Sequence, residues 1–115
     1  MVNYIIIKIG REMYKIIKTY IAGSNYDNED GSCRKEILSE LLFDCELLIE
    51  NYYYEQEKAV KILASDNRCV GNIPKELAEE IFDCNEKGKV KTILYRPEYY
   101  KNGSVSHFIK IYVRN

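Results

Sequence analysis

Tryptophan is absent from this sequence, histidine occurs once, at His107, and proline only twice. A single imidazole excludes any site built from several. The four cysteines (Cys33, Cys45, Cys69 and Cys84) lie far apart, with no C-x-x-C pair among them. A zinc site needs clustered ligands, so no metal is expected and the thiols read as buried or idle. Long hydrophobic runs are missing too. Near the start, Ile5-Ile6-Ile7 is far too short to span a bilayer or to form a signal-peptide core. The expectation is a cytoplasmic protein with no membrane partner. Neither a phosphate-cradling G-x-x-x-x-G-K-[ST] run nor a G-x-S-x-G elbow occurs. Carboxylates are plentiful, but Glu79-Glu80, Glu55 and Glu57 have no evident partner base. His107 stands near Ser104 and Ser106, and a lone histidine beside serines reads as a strand residue rather than half of a nucleophilic pair. The chain is thus expected to be non-enzymatic and to need no cofactor.

What is present is an ordinary balance for one globular domain: 30% charged and 46% apolar residues in 115. A chain of this length buries roughly two-thirds of its unfolded surface around one core. The net charge of −1 conceals an asymmetry. Up to Glu57 there are 6 Lys+Arg against 11 Asp+Glu, and from Lys58 onward 11 against 7. A basic second half could supply a local phosphate-binding surface, although such charges also simply solvate a surface. Eleven tyrosines supply rings on which bases could stack, but strands favour tyrosine anyway.

Taken in order, Val2 to Ile9 and Met13 to Ile21 read as strands joined at Gly10-Arg11-Glu12, on their β-branched and aromatic content. A short helix over the second part is the alternative. Gly23 to Gly31 (GSNYDNEDG) is a polar loop with one aromatic, Tyr26, which has little core to enter. Ser32 is a candidate N-cap for a helix from Cys33 to Phe43, with Ile37, Leu38, Leu41 and Leu42 as its buried stripe. Cys45 to Tyr54 returns to strand, Leu47 and Ile49 facing one way. After a turn at Asn85-Glu86-Lys87-Gly88, Lys89 to Tyr95 and Ser106 to Val113 read as the last strands, with a loop from Arg96 to Gly103 between them. No repeat or low-complexity tract interrupts the chain.

The most informative stretch is Ala59 to Phe82, AVKILASDNRCVGNIPKELAEEIF. Ala59, Val60, Ile62 and Leu63 make a largely apolar strand, Ser65 to Arg68 a polar turn, and Cys69 and Val70 resume the strand. Gly71 marks a bulge or a close backbone approach. Pro74 suits the first helical turn, after which Leu77, Ala78, Ile81 and Phe82 form one apolar stripe against Glu76, Glu79, Glu80 and Asp83. The tally is α+β and mainly β: five to seven short strands closing or nearly closing a small barrel, with two helices plugging its gaps.

Ala59-Val60-Lys61-Ile62 followed by Val70-Gly71-Asn72-Ile73-Pro74-Lys75-Glu76-Leu77-Ala78 resembles the HIRAN signature, A-I-x-V, a turn, then V-G-x-I-P-x-E-x-A. The resemblance covers roughly Lys18 to Val113. It divides the chain into an N-terminal extension, 1–17, which would be an added strand or a dimer contact, and a HIRAN-like domain, 18–115. It implies a modified OB-like barrel with two helices. In the family such a module holds the 3′ end of single-stranded DNA, commonly within helicase-like ATPases. The function implied is a non-catalytic nucleic-acid-binding module whose partners are single-stranded DNA or DNA ends and, further, an ATPase. The alternative is a protein-interaction module that kept the fold without the ligand.

The site residues follow from the same resemblance. Gly23-Ser24-Asn25-Tyr26 matches the family loop whose aromatic residue stacks on a base, which puts Tyr26 in that place and Asn25 where a basic residue can occur. Asn72 and Lys75 inherit the positions near phosphate, Lys75 at a helix N-terminus that favours an anion. The family's N-P-x-D-x-N loop, whose aspartate receives the terminal hydroxyl, is replaced here by Tyr53-Tyr54-Glu55-Gln56-Glu57-Lys58. Gln56 stands in the aspartate's place and Glu55 is its possible substitute. Tyr95 falls near the family's second aromatic position.

Overall fold

The structure is a computed structural model that describes residues 3–115. Nine strands and two helices follow one another as β1 (Asn3–Ile9), β2 (Glu12–Tyr20), α1 (Arg34–Ser39), β3 (Glu46–Tyr54), β4 (Glu57–Leu63), β5 (Cys69–Asn72), α2 (Lys75–Glu86), β6 (Val90–Tyr95), β7 (Glu98–Tyr99), β8 (Val105–Ser106) and β9 (Phe108–Arg114). Seven strands make one antiparallel sheet in the order β1-β2-β9-β6-β3-β4-β5, and β7 and β8 form a separate two-stranded hairpin. The mainly-β, two-helix architecture matches the sequence reading. The barrel does not: the ladder is open, with β1 and β5 at its two ends.

One contact draws the β5 end of this open sheet toward the chain that leaves β2. Just beyond β2, Ala22 leaves the ladder and exchanges two backbone hydrogen bonds with Asn72 of β5, at 2.9 and 2.8 Å. Gly71 makes that approach possible. A Cβ there would lie 2.3 Å from Ile21 Cγ2 and 2.6 Å from the Ala22 carbonyl oxygen, closer than any side chain tolerates. The close backbone approach read from the sequence is therefore present at this residue.

The core lies between the curled sheet and α2. Val60 and Ile62 of β4, Ile93 of β6, and Ile109 and Ile111 of β9 are almost wholly buried, and Leu77, Ala78, Ile81 and Phe82 of α2 close over them. Each large aliphatic side chain removed from water in this way contributes roughly 1.5–3 kcal/mol. The α2 stripe is the one its sequence spacing predicts. Pro74 sits one position earlier than expected, as the N-cap residue rather than in the first turn.

α1 departs further. It spans only Arg34–Ser39, its N-cap is Cys33, and no side chain caps it. The expected cap, Ser32, instead donates its hydroxyl to Asp30 Oδ1 at 2.6 Å. Because the helix ends at Ser39, Leu42 falls outside its period and is left 77% exposed, while Ile37 and Leu38 are buried as predicted. The expected first strand begins at Val2, which lies outside the described residues; β1 itself is the edge of the main sheet. The alternative helix over the second part is not formed, since β2 runs unbroken from Glu12 to Tyr20.

Candidate nucleic-acid interface

β3 and β4 form a hairpin closed by Tyr54 opposite Glu57, so Glu55 and Gln56 are its two loop residues. Both have positive φ, 50° and 69°, as a type I′ turn requires. Strand alternation then sends Tyr52 and Tyr54 to one face and Tyr53 to the other. Tyr53 packs on Phe82 with ring centroids 5.2 Å apart, while Tyr52 and Tyr54 turn toward the loop that follows β2.

That loop brings Tyr26 to meet them. Gly23, at φ 72°, reverses the chain, and the Tyr26 amide donates to the Gly23 carbonyl at 3.1 Å. Arg34 holds the turn by donating Nη1 to the Gly23 carbonyl at 2.9 Å and Nε to Asn28 Oδ1 at 2.8 Å. Asn28 in turn donates to the Cys69 carbonyl at 3.0 Å, tying the loop to β5. The Tyr26 ring is 72% exposed on a backbone that is well anchored.

The result is a groove of about 760 Å³ walled by Tyr26, Tyr52, Tyr54, Glu55, Asn72 and Lys75. Three cations reach it, Arg34, Lys58 and Lys75, against two carboxylates, Glu55 and Glu57. They are not equally free. Arg34 is engaged by the loop carbonyls, and the Lys58 ammonium lies 2.6 Å from Asp83, whose hydrogen bond holds its pKa above the ordinary lysine range. Lys75 projects into solvent from the start of α2, 87% exposed, with Glu57 Oε2 at 3.7 Å as its one ion-pair partner. An exposed pair at that distance is weak, so the ammonium is available to an anion. The Asn72 side chain is less available, because Nδ2 donates to the Tyr52 hydroxyl at 2.5 Å.

Four of the seven residues singled out in the sequence, Tyr26, Glu55, Asn72 and Lys75, thus share one groove. Gln56 is at its lip, in a shallower hollow of about 410 Å³ with Glu57, Lys58, Lys75 and Glu79. Asn25 turns the other way, into a second groove of about 790 Å³ that Tyr20, Lys35, Tyr99 and His107 also line. Tyr95 is a correction. It is only 1% exposed, because β6 places it on the inner face, and its ring offers no face to a base. Its hydroxyl is 2.6 Å from His107 Nδ1, and burial pushes its pKa up to about 12.

Tyr52 and Tyr54, which read in the sequence as alternate-face strand residues on the flank rather than as stacking rings, belong to the groove, as do Arg34 and Lys58. The period-2 alternation along Tyr52-Tyr53-Tyr54 was a usable signal for the first two. Nothing local marked Arg34, which reaches the site through its bonds to the loop. Among the described residues no cluster of three His, Cys, Asp or Glu comes together to hold a metal ion, and no helix is long and apolar enough to cross a membrane. No family model matches this chain, and neither a curated protein nor a solved structure does so.

Proposed function

We propose that this chain is a HIRAN-type, non-catalytic cytoplasmic module that binds single-stranded DNA, including its 3′ ends, in the groove between the Gly23–Tyr26 loop and the β3–β4 hairpin. The observation that carries the reading is the pairing of an open phenol ring, Tyr26, with a solvent-facing ammonium, Lys75, along one groove. A base stacks on the ring while its phosphate meets the ammonium at the start of α2, where the backbone N–H groups also favour an anion. Tyr54, 64% exposed, offers a second ring. Gln56 at the lip is placed for a terminal hydroxyl, as a neutral donor and acceptor without charge-assisted strength. In a larger assembly the module would deliver a strand end to an ATPase.

The test is fluorescence anisotropy with short labelled single-stranded DNA carrying either a free or a phosphate-blocked 3′ end. Losing a stacked base costs roughly 1–3 kcal/mol, so Tyr26→Ala weakens binding about fivefold to a hundredfold. Lys75→Ala weakens it and flattens the salt dependence. Wild-type affinity in both variants, or no binding by the wild type, overturns the reading.

A second reading, a protein-interaction module that kept the fold, is favoured by the two carboxylates on the groove, Glu55 and Glu57. Glu57→Gln separates the two. It releases Lys75 and strengthens DNA binding if phosphate enters this groove, and leaves DNA binding absent if the ligand is a protein.

A further inference from the structure

The β1 strand is the one long element whose outer side has no partner among the described residues. Its sequence, NYIIIKI, is apolar on both faces, and Tyr4, Ile5, Ile6 and Ile9 are each 51–60% exposed. Natural sheets protect such an edge with prolines, bulges or several charges. β1 has one lysine, Lys8, no proline, and an uninterrupted register with β2. The opposite end of the sheet is better guarded, since β5 is bonded to Ala22 and α1 packs against it.

Which polar groups the edge presents follows from the hydrogen-bond pattern. The Asn115 amide donates to the Met13 carbonyl, so Met13 faces β9, and its neighbours Glu12 and Tyr14 face β1. Through the register Ile9↔Glu12, Ile7↔Tyr14 and Ile5↔Ile16, Ile5, Ile7 and Ile9 spend their N–H and C=O groups on β2. Alternation leaves those of Tyr4, Ile6 and Lys8 turned outward and unpaired.

We propose that β1 is a dimer edge, where a second copy of this chain pairs its own β1 antiparallel about a two-fold axis through Ile6. That centre matches the three outward residues to one another, Ile6 to Ile6 and Tyr4 to Lys8 of the second copy, with about six inter-strand hydrogen bonds. It overlaps the whole of β1, whereas a centre at Tyr4 or Lys8 pairs only part of it. It also sets no like charges opposite. Each Lys8 stands opposite a tyrosine, whose ring already carries the Lys15 ammonium at 4.5 Å, instead of the other Lys8, and Ile5 meets Ile7. A chain of net charge −1 adds little repulsion between copies. The interface is isologous and closes on itself, leaving both Tyr26 grooves open. It stands independently of the nucleic-acid reading.

Sedimentation of the full chain without nucleic acid, over a wide concentration range, is the first test and should show a reversible dimer. Ile6→Lys sets two ammonium groups face to face on the axis. Ile6→Pro deletes an outward N–H without removing a bond to β2. Each should weaken dimerisation about tenfold or more, with circular dichroism reporting the retained fold. Register is read by mixing Ile5→Cys chains with Ile7→Cys chains. Their Cα atoms meet at about 4.5 Å, within disulfide reach, so the mixture cross-links on oxidation, while Ile5→Cys alone and the wild type do not. A wild type that stays monomeric, a dimer indifferent to both Ile6 variants, or open-ended growth instead of a closed dimer overturns the proposal.

Discussion

Two tyrosines of this chain show how burial decides what a ring can do. Tyr26 is held on a short loop and left open, whereas Tyr95 points inward from the end of β6 and is bonded to His107. The Tyr95 phenol, pushed up to about 12 chiefly by burial, keeps its proton and shares a hydrogen bond with His107 Nδ1. Burial, and then the nearby Lys35 charge, holds His107 below the usual histidine value. The unfolded chain, with a histidine near about 6.5, therefore takes up its proton first as pH falls. The stability tied to neutral His107 is complete above that value and is lost as pH drops through it toward the lower folded value. The midpoint of urea unfolding should decline from about pH 7 to about pH 5.5 in the wild type, above the range where most carboxylates titrate. His107→Gln, which can still hydrogen-bond Tyr95 but carries no titrating group, should flatten that decline. An unchanged slope in the variant would place its origin elsewhere.

Among the elements, those with a strong local pattern were legible in the sequence and those fixed by distant contacts were not. The α2 stripe, the apolar β4 strand, and the tight approach at Gly71 each follow from residues within one short stretch. α1 shows the limit. Its apolar spacing ran on to Leu42, but Ser32 is engaged by Asp30, and the chain turns away after Ser39. Closure into a barrel depends on pairing between strands far apart in sequence, and no local pattern reports that the ladder ends open. The candidate site residues came from the family resemblance rather than from local pattern. Tyr26, Glu55, Asn72 and Lys75 converge, while the burial of Tyr95 depends on packing that only the whole fold supplies.

The β3–β4 hairpin lends itself to an experiment on one element. Gln56 occupies left-handed backbone at φ 69°, which costs a non-glycine residue roughly 1–2 kcal/mol. Glycine relieves that strain and returns about 0.5–1 kcal/mol as added chain entropy. Gln56→Gly should therefore stabilise the protein by roughly 0.5–1 kcal/mol in denaturant melts. If its amide meets a terminal hydroxyl, the same variant loses the preference for free over blocked 3′ ends while gaining stability. Opposite movements in the two measurements separate a recognition role from a purely structural one.

At the scale of the whole molecule, the charge asymmetry along the sequence does not become an asymmetry in space. Six of the eight ion pairs among the described residues join the acidic first half to the basic second half, among them Lys15–Glu80, Arg68–Glu40 and Lys75–Glu57. The fold interleaves the halves, so Arg68, Lys75, Arg96 and Arg114 of the basic half each meet a carboxylate of the acidic half. At the Tyr26 groove itself the charge open to a ligand is local, with Lys75 open and Lys58 and Arg34 partly engaged. Binding should then neutralise about one or two phosphates, for a slope of log affinity against log salt of roughly −0.7 to −1.4. A fourfold rise in salt would weaken the complex less than about tenfold, with stacking on Tyr26 supplying much of the remainder. Titrations at several salt concentrations measure that slope directly. A value near about −4 would require a broad cationic face reaching well beyond Arg34, Lys58 and Lys75.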